Sequence, residues 1–273
     1  MLNARMNRLF AANGRCVAIA IDHGFFNEGE LLEGIEDIRS TVQKIAEANP
    51  DGVLLSPGQA PILQTLPLKP KPALILRVDV ANLYAKELSA ETFVELMDFA
   101  VESAVRLDAA CIIVNLFSVA GRPEVHAACV RNIMRLKVPC EHHGIPLMVE
   151  PLTMVPNSRI GAYTVNTDLK TMVPLVRQAV ELGGDVIKAD PTDDYSKVVE
   201  AAGGRPVLVR GGSRVSETEI LERTARLLQQ GAAGIVYGRN VIQHPRVSRM
   251  IAAFVAMVHG NATTQQAQEI LAA

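Results

Sequence analysis

The sequence predicts an α/β protein built as a (β/α)8 TIM barrel, because of the number, type and spacing of its apolar segments. Eight short apolar runs occupy residues 16–21, 52–55, 73–76, 110–114, 146–149, 185–187, 206–209 and 233–237. Each run is continuous rather than alternating, which is typical of parallel strands that are covered on both faces. The residues just past the runs are on average about 31 positions apart, the length of one βα unit. Eight such units form a closed barrel.

The segments between the runs carry helical signals. Apolar residues at 93, 96, 97, 100, 101 and 104 predict an amphipathic helix. Ser216 and Glu219 predict a capping box, and Gly231 the end of the same helix. Residues 122–142 and 174–182 are expected to form two more helices, with Pro174 near the first turn of the second. The ends 1–13 and 261–273 are expected to add extra helices outside the barrel.

A doubly wound open sheet is the rival architecture. Such a sheet usually carries a glycine fingerprint in its first βα turn, and residues 22–26 do not contain one. No linker, internal repeat or low-complexity segment interrupts the chain. We therefore expect residues 1–273 to form one barrel domain.

Composition excludes several functional classes. With 27 basic and 29 acidic side chains, the net charge of -2 offers no broad basic surface for a nucleic-acid backbone. No apolar stretch approaches the roughly 18 residues of a membrane helix, and residues 1–13 lack the apolar block of a secretory signal. Cys16, Cys111, Cys129 and Cys140 are too widely spaced to suggest disulfides or a zinc module. We expect a cytoplasmic protein that binds neither nucleic acid nor membrane.

Polar residues follow most of the predicted strands, and in a barrel these positions converge on the catalytic face. They include Asp22, Ser56, Arg77, Asn115, Glu150, Lys188 and Arg210, and Gly238 follows the last strand. Lys188 follows two apolar strand residues, where desolvation would lower its pKa and supply a neutral amine for Schiff-base formation. The alternative is a lysine that reaches solvent or pairs with Asp190 or Asp22.

Two neighbouring residues at the end of the first run have alternative roles. The carboxylate of Asp22 either moves protons during carbinolamine formation and carbon–carbon cleavage or orients the lysine. His23 is either a proton shuttle or a hydrogen-bonded spacer in a tight turn beside Gly24.

The last two predicted strands end in glycine-containing segments, 210–213 and 238–240. Adjacent glycine turns at strands seven and eight expose backbone N–H groups and a helix N-terminus, the usual phosphate site of such barrels. The residues predicted to bind a substrate phosphate are Gly211, Gly212, Gly238, Arg239 and Asn240.

No metal or other cofactor is expected. The Cys-Glu-His-His segment at 140–143 has a metal-binding composition, but it is predicted to lie in a loop on the face opposite the candidate site. A lysine Schiff base already supplies the electron sink that a divalent ion would otherwise provide.

Five motifs occur in order along nearly the whole chain. They lie at residues 21–24, 186–188, 209–212, 231–244 and 258–261. In these motifs the sequence resembles the class I aldolase family of archaeal-type fructose-bisphosphate aldolases, aminodeoxyheptulosonic acid synthases and the autoinducer-2 phosphate thiolase. The resemblance implies that the lysine matching Lys188 forms the Schiff base and that the aspartate matching Asp22 takes part in proton transfer. It further implies phosphate binding by the Gly-Gly and Gly-Arg-Asn loops, and a homo-oligomer.

The sequence departs from this family after the fifth run. Many members have a Tyr-Pro-Arg-Gly segment there, with a proton-donating tyrosine, whereas residues 148–153 contain no tyrosine, as in the thiolase branch. Glu150 either replaces the tyrosine, if burial raises its pKa, or pairs with Arg77 or Arg210. Two arginines at the mouth would suit a substrate with a second anionic group.

We therefore expect a lysine Schiff-base aldolase, a carbon–carbon lyase, that acts on a phosphorylated ketose or a related phosphorylated carbonyl compound. The catalytic residues are expected to be Lys188, Asp22 and Glu150, and the further substrate-binding residues His23, Arg77, Asn115 and Arg210. One alternative is a thiolase-like acyl or ketol transferase that acts on a phosphorylated diketone. The other is a sugar-phosphate-binding barrel without catalysis, against which the presence of both Asp22 and Lys188 argues.

Overall fold

A computed structural model describes residues 3–26, 32–84, 91–157 and 163–273. The strands are β1 (Cys16–Ala20), β2 (Gly52–Leu55), β3 (Ala73–Arg77), β4 (Asp79–Ala81), β5 (Val94–Leu96), β6 (Ala109–Val119), β7 (Leu147–Pro156), β8 (Tyr163–Val165), β9 (Val186–Ala189), β10 (Val207–Arg210) and β11 (Gly234–Tyr237). Eight of them form a parallel sheet in the order β6-β3-β2-β1-β11-β10-β9-β7, which closes because β6 also pairs with β7. The predicted (β/α)8 barrel is confirmed.

Helices surround the barrel and follow most of its strands. They are α1 (Asn3–Leu9), α2 (Ile38–Glu47), α3 (Ala60–Thr65), α4 (Ala100–Arg106), α5 (Pro123–His143), α6 (Leu169–Glu181), α7 (Tyr195–Ala201), α8 (Glu217–Gln229), α9 (Arg239–Ile242), α10 (Val247–Gly260) and α11 (Thr264–Ala272). α1 and α11 are the extra terminal helices that the sequence predicts. No helix in the described part of the chain has the length and apolar character needed to span a bilayer.

The barrel interior is filled by small and medium apolar side chains from all eight strands. They are Cys16, Ala18, Ala20, Leu54, Ala73, Ile75, Ala110, Cys111, Ile113, Met148, Val186, Leu208 and Val236. Leu9 of α1 belongs to the same cluster and is fully buried, and a Cβ on Gly52 would lie 3.0 Å from its Cδ1. Because Gly52 is the first residue of β2, α1 closes the amino-terminal end of the barrel and leaves the opposite end open.

Along each strand every second side chain faces the barrel interior, and this pattern continues to the open end of the barrel. A residue two positions after an interior residue points to the same side of the sheet. Each strand-end residue singled out in the sequence stands in this relation: Asp22 to Ala20, Ser56 to Leu54, Arg77 to Ile75, Asn115 to Ile113, Glu150 to Met148, Lys188 to Val186, Arg210 to Leu208 and Gly238 to Val236. The apolar filling therefore ends in a layer of polar and charged side chains.

The helix predicted from the apolar stripe at 93–104 is wrong in its first half. Residues 94–96 form β5, which pairs antiparallel with β4, and α4 begins only at Ala100. The side chain of Asn82 holds this hairpin, because it donates to Glu91 O and accepts from Phe93 N, each at 2.9 Å. Phe99 has a left-handed φ of 52°, which separates the strand from the helix.

Two other boundaries also differ from the prediction. The helix expected from Pro174 begins five residues earlier, at Leu169, because the side chain of Asp168 caps it by accepting from Lys170 N. The segment 140–143, expected to be a loop, is the last turn of α5, which ends at Gly144 with a φ of 61°.

Replacing Leu9 with alanine tests the closure of the barrel by α1. Leu9→Ala leaves a cavity between α1 and the interior cluster, so we expect the free energy of unfolding to fall by about 2–5 kcal/mol. Val138→Ala on the exposed face of α5 is the control and should change it by no more than about 0.5 kcal/mol. Urea denaturation measures both. Equal stabilities for the two variants would contradict the closure.

Candidate active site

The carboxyl ends of the barrel strands open into a cavity of about 590 Å³. The predicted site residues that line it are Asp22, His23, Arg77, Glu150, Lys188, Arg210, Gly211, Gly212, Gly238 and Arg239. Asn115 and Asn240 do not belong to its described lining. The structure thus brings most of the predicted residues to one cavity and places two of them behind its wall.

Arg77 is the centre of a buried ionic network. Its Nε contacts Asp22 Oδ2 at 2.9 Å, its Nη1 contacts Asp79 Oδ1 at 3.3 Å and its Nη2 contacts Glu150 Oε2 at 2.6 Å. Its side chain is 2% exposed, so water contributes little to the solvation of its charge. Nε, Nη1 and Nη2 of Arg77 thus each contact a carboxylate. The positive charge of Arg77 is therefore balanced by the protein and is not free for a substrate anion.

Glu150 joins this network to two further cations. Its Oε1 lies 3.0 Å from Lys188 Nζ and 3.1 Å from Arg210 Nε, while Oε2 contacts Arg77. Burial alone would raise the pKa of Glu150, but the charges of Lys188, Arg77 and Arg210 outweigh it and hold the pKa below its usual range. Of the two alternatives for Glu150, pairing with arginine is the one that the structure contains.

Lys188 lies on β9 with a side chain that is 5% exposed. Burial lowers the pKa of Lys188 from its ordinary 10.5, and the nearby charges of Arg77 and Arg210 act in the same direction. Glu150 and Asp22 oppose this shift. Lys188 is therefore not a solvent-exposed lysine, and among the described residues its ion-pair partner is the Glu150 carboxylate rather than Asp190 or Asp22.

Arg210 is held between two carboxylates. Its Nη1 contacts Asp190 Oδ1 at 2.9 Å, in addition to the Nε contact with Glu150. Asp190 is 1% exposed and lines the cavity two residues beyond Lys188. Like Arg77, Arg210 thus has its charge balanced by the protein.

Asp79 and Asn115 form the layer behind Arg77. Asp79 Oδ2 accepts from the backbone N of Asn115 at 2.8 Å and from its Nδ2 at 3.0 Å. Both residues are 1% exposed. The predicted substrate contact Asn115 therefore holds the carboxylate that in turn contacts Arg77.

The loop after β10 is held by side chains that bond to its carbonyl oxygens. Asn240 Nδ2 donates to Gly211 O and Ser213 O, each at 3.1 Å, and its Oδ1 accepts from Val215 N at 3.0 Å. Arg239 Nη2 donates to Gly212 O at 3.1 Å. The side chain of Asn240 is therefore used within the protein and is not free for a phosphate.

The same contacts determine the direction of the backbone N–H groups in this loop. Because the N–H and C=O of a trans peptide point in opposite directions, bonding the carbonyls of residues 211–213 turns the N–H groups of 212–214 away from Asn240 and Arg239. These three N–H groups have no hydrogen-bond partner in the described chain. Gly212 has a φ of 67°, which favours glycine. The loop is thus a set of free donors beside the first turn of α9.

His23 packs against the second glycine loop. A Cβ at Gly238 would lie 2.4 Å from His23 Cε1, so glycine is required for this approach. Burial lowers the pKa of His23 to about 4, with Lys188, Arg239 and Arg210 contributing and Asp22 opposing. Its buried Nδ1 has no hydrogen-bond partner among the described residues. At neutral pH the ring is uncharged, and within the described part of the chain it lacks the hydrogen bond expected of a spacer.

Asp79, Asp190 and Tyr84 are site residues that the sequence reasoning missed. Asp79 lies two positions after Arg77 and Asp190 two positions after Lys188, so the two-residue period of a strand was a signal for both. Tyr84 lines the cavity from the chain that follows β4. No sequence periodicity predicts that Tyr84 lies at the cavity.

Comparison with known proteins identifies the family. Residues 16–244 match the family model described as DeoC/LacD family aldolase. The chain belongs to this family. It is an enzyme of the class I aldolase superfamily, which confirms the resemblance seen in the sequence.

The proteins that are similar to this chain include a synthase, a thiolase and an aldolase. A 2-amino-3,7-dideoxy-D-threo-hept-6-ulosonate synthase of Archaeoglobus fulgidus is 29% identical over 97% of this chain and 94% of its own length. A 3-hydroxy-5-phosphonooxypentane-2,4-dione thiolase of Escherichia coli is 29% identical over 98% and 86%. The solved structure of an archaeal fructose-1,6-bisphosphate aldolase, whose catalytic lysine is covalently bound to the carbinolamine intermediate of its substrate, has a TM-score of 0.73 and 26% identity, and covers 95% of this chain and 100% of its own.

Removal of Arg77 tests the ionic network. Arg77→Met leaves three buried carboxylates without their shared cation, so we expect a loss of about 3–5 kcal/mol in the free energy of unfolding at pH 7. The folded-state pKa of Glu150 lies below the ordinary 4.5, so its contribution to stability is present above that pH and lost as the pH falls through the folded pKa. The difference between wild type and variant should therefore shrink below about pH 4.5.

The control for this experiment is Arg8→Met. Arg8 pairs with Asp108 at 2.8 Å on the surface, where both side chains are largely exposed, and such a pair contributes no more than about 1 kcal/mol. Urea denaturation at pH 7 and pH 4 measures all three proteins. A difference between wild type and Arg77→Met that does not change with pH would contradict the ionic origin of the effect.

Proposed function

We propose that this protein is a lysine Schiff-base aldolase that cleaves or forms a carbon–carbon bond in a phosphorylated ketose or a related phosphorylated carbonyl compound. The observation that carries the proposal is the position of Lys188, buried at the cavity beside a carboxylate and next to two loops with free amide donors. The carbinolamine on the lysine of the archaeal relative supports the same chemistry.

The reaction begins with the neutral amine of Lys188. Because burial lowers its pKa, this lysine is neutral more often near pH 7 than an exposed lysine. The amine attacks the substrate carbonyl, and the carbinolamine loses water to give an iminium. The iminium accepts the electron pair of the carbon–carbon bond as that bond breaks, and an enamine and an aldehyde result. Protonation of the enamine and hydrolysis of the imine then release the second fragment and restore the amine.

Asp22 is proposed to receive the proton from the substrate hydroxyl that becomes the aldehyde oxygen. Its Oδ2 is occupied by Arg77, whereas its Oδ1 has no hydrogen-bond partner in the described chain, and the residue lines the cavity. A carboxylate fixed through one oxygen and open at the other is suited to general base catalysis.

Glu150 is proposed to act as an ionised group rather than as a proton donor. Its low pKa keeps it ionised at neutral pH, and its Oε1 lies at the atom where the iminium charge forms. The carboxylate therefore stabilises the intermediate electrostatically. Arg77 and Arg210 fix its position through contacts of 2.6 and 3.1 Å.

The substrate phosphate is proposed to bind at the loops after β10 and β11. The N–H groups of residues 212–214, Arg239 and Asn240 have no hydrogen-bond partner in the described chain, and the Arg239 side chain supplies positive charge beside them. Gly211 and Gly238 allow the close backbone packing that shapes this site, since a Cβ at either would meet a neighbouring ring.

A thiolase-like transferase is the second candidate, and the similarity to a thiolase over nearly the whole chain favours it. The two functions differ in whether a second molecule must accept a fragment. We expect wild-type protein incubated with a panel of phosphorylated ketoses to release two fragments without an acceptor, as detected by NMR of the products. Release of products only when coenzyme A or another acceptor is present would assign the transferase function instead.

Trapping of the intermediate tests the role of Lys188. Borohydride added with a bound ketose phosphate should reduce the iminium to a secondary amine and add the corresponding mass to the peptide that contains Lys188. Lys188→Met, which preserves length without charge, should abolish trapping and reduce turnover at least about 10⁴-fold. The matched control is Lys197→Met on α7, whose ammonium group is exposed and pairs with Glu200. Trapping that persists in Lys188→Met would refute the assignment.

A further inference from the structure

Tyr84 presents a free hydroxyl group at the cavity. The residue lines the cavity, and its hydroxyl has no hydrogen-bond partner in the described chain. Its ring is fixed by two other aromatic residues, with centroid distances of 4.6 Å to Phe26 and 6.1 Å to Phe117. A rigid ring that carries an unpartnered hydroxyl at an active-site cavity has a polar group available for a ligand.

The supports of Tyr84 place it across the barrel mouth from Lys188. Phe26 follows β1 and Phe117 belongs to β6, whereas Lys188 lies on β9 and the glycine loops follow β10 and β11. A substrate whose phosphate lies at the glycine loops and whose carbonyl reaches Lys188 extends from there toward the wall that contains Tyr84. The part of the substrate beyond the carbonyl is the part that leaves as the aldehyde.

The hydroxyl of Tyr84 stays protonated at neutral pH. Burial raises the pKa of Tyr84 above its ordinary 10.0, and this effect exceeds the opposing influence of Arg210 and Arg77. The group is therefore a hydrogen-bond donor throughout the neutral range and does not itself give up its proton to solution.

The charged groups nearest to the lysine are committed to one another. Arg77 is shared by three carboxylates, and Arg210 is held by Glu150 and Asp190. Their charges are therefore balanced within the protein, and Arg210 Nη2 is the one guanidinium nitrogen of the two that has no partner among the described residues. A neutral donor on the opposite wall can bind an oxygen of the departing fragment without adding a further charge to this network.

We propose that Tyr84 is a catalytic residue whose hydroxyl donates a hydrogen bond to the oxygen of the aldehyde fragment, an assignment that rests on the Schiff-base function proposed above. As the carbon–carbon bond breaks, its electron pair forms the carbon–carbon double bond of the enamine and the C=N π pair moves to the nitrogen. The hydroxyl proton passes to Asp22 and the oxygen becomes a carbonyl oxygen. In the reverse direction the same oxygen gains negative charge as the enamine attacks. A fixed donor at that oxygen stabilises the transition state in both directions.

Tyr84→Phe tests this role, because it removes the hydroxyl and keeps the ring that packs on Phe26 and Phe117. Loss of one such donor typically lowers kcat by about 10²–10³-fold, and we expect that reduction for condensation of dihydroxyacetone phosphate with D-glyceraldehyde or its 3-phosphate. The half-reaction without aldehyde should not change. We therefore expect the wild-type rate of deuterium exchange into dihydroxyacetone phosphate and the wild-type yield of borohydride trapping at Lys188.

The matched control is Tyr163→Phe. Tyr163 is the other described tyrosine at the cavity, but its hydroxyl already accepts from Arg122 Nε at 3.4 Å. This variant should condense at a rate within about twofold of wild type. Normal trapping in Tyr84→Phe also shows that the variant folds and retains a working lysine.

Three results would overturn the inference in different ways. An equal fall in condensation and in deuterium exchange would place Tyr84 at the ketone half of the reaction or make it structural. Unchanged condensation in Tyr84→Phe would remove it from the reaction. Absence of both trapping and exchange in the wild-type protein would instead refute the proposed Schiff-base function on which the inference rests.

Discussion

The buried guanidinium of Arg77 is the contact on which the arrangement of the candidate site depends. It joins carboxylates that follow or belong to β1, β4 and β7, and Glu150 extends the same network to Lys188 on β9 and Arg210 on β10. Removing such charges from water is costly unless each is paired, so no member can move or be lost alone. The network therefore fixes the relative positions of several strand ends and, with them, the position of Lys188, the proposed nucleophile.

The apolar interior of the barrel excludes water from one side of this network. Side chains from all eight strands and Leu9 of α1 fill the interior below it, and the charged layer lies on top of that filling. The low polarity of the filling strengthens the ion pairs and at the same time lowers the pKa of Lys188. The strength of the ion pairs and the lowered pKa of Lys188 thus have one physical origin, the burial of these groups above an apolar interior.

Much of this was readable from the sequence, and the reason is geometric. Continuous apolar runs at the spacing of a βα unit predict the barrel, and the two-residue period of strands places Lys188, Arg77 and Glu150 on one surface. Pairing of Glu150 with Arg77 or Arg210 was one of two alternatives that the sequence left open, since the choice depends on side-chain distances that exist only in the closed barrel. The strand β5 was missed because Phe93, Leu96 and Met97 fit a helical stripe, although Val94 and Leu96 also alternate as in a strand. Tyr84 was missed because only tertiary packing brings it to the cavity.

The charges of the site are compatible with the proposed role of Lys188 as a nucleophile, although the lysine lies close to a carboxylate. Glu150 opposes loss of the ammonium proton, which makes the neutral amine less abundant than burial alone would. In the proposed mechanism the iminium restores a positive charge at the same nitrogen, so the carboxylate that opposes the first step would stabilise the intermediate that follows. A substrate phosphate would be repelled by this carboxylate-rich centre. Free backbone N–H donors lie instead in the loops after β10 and β11, beside Arg239, and the proposed phosphate site is therefore separate from the bond that would break.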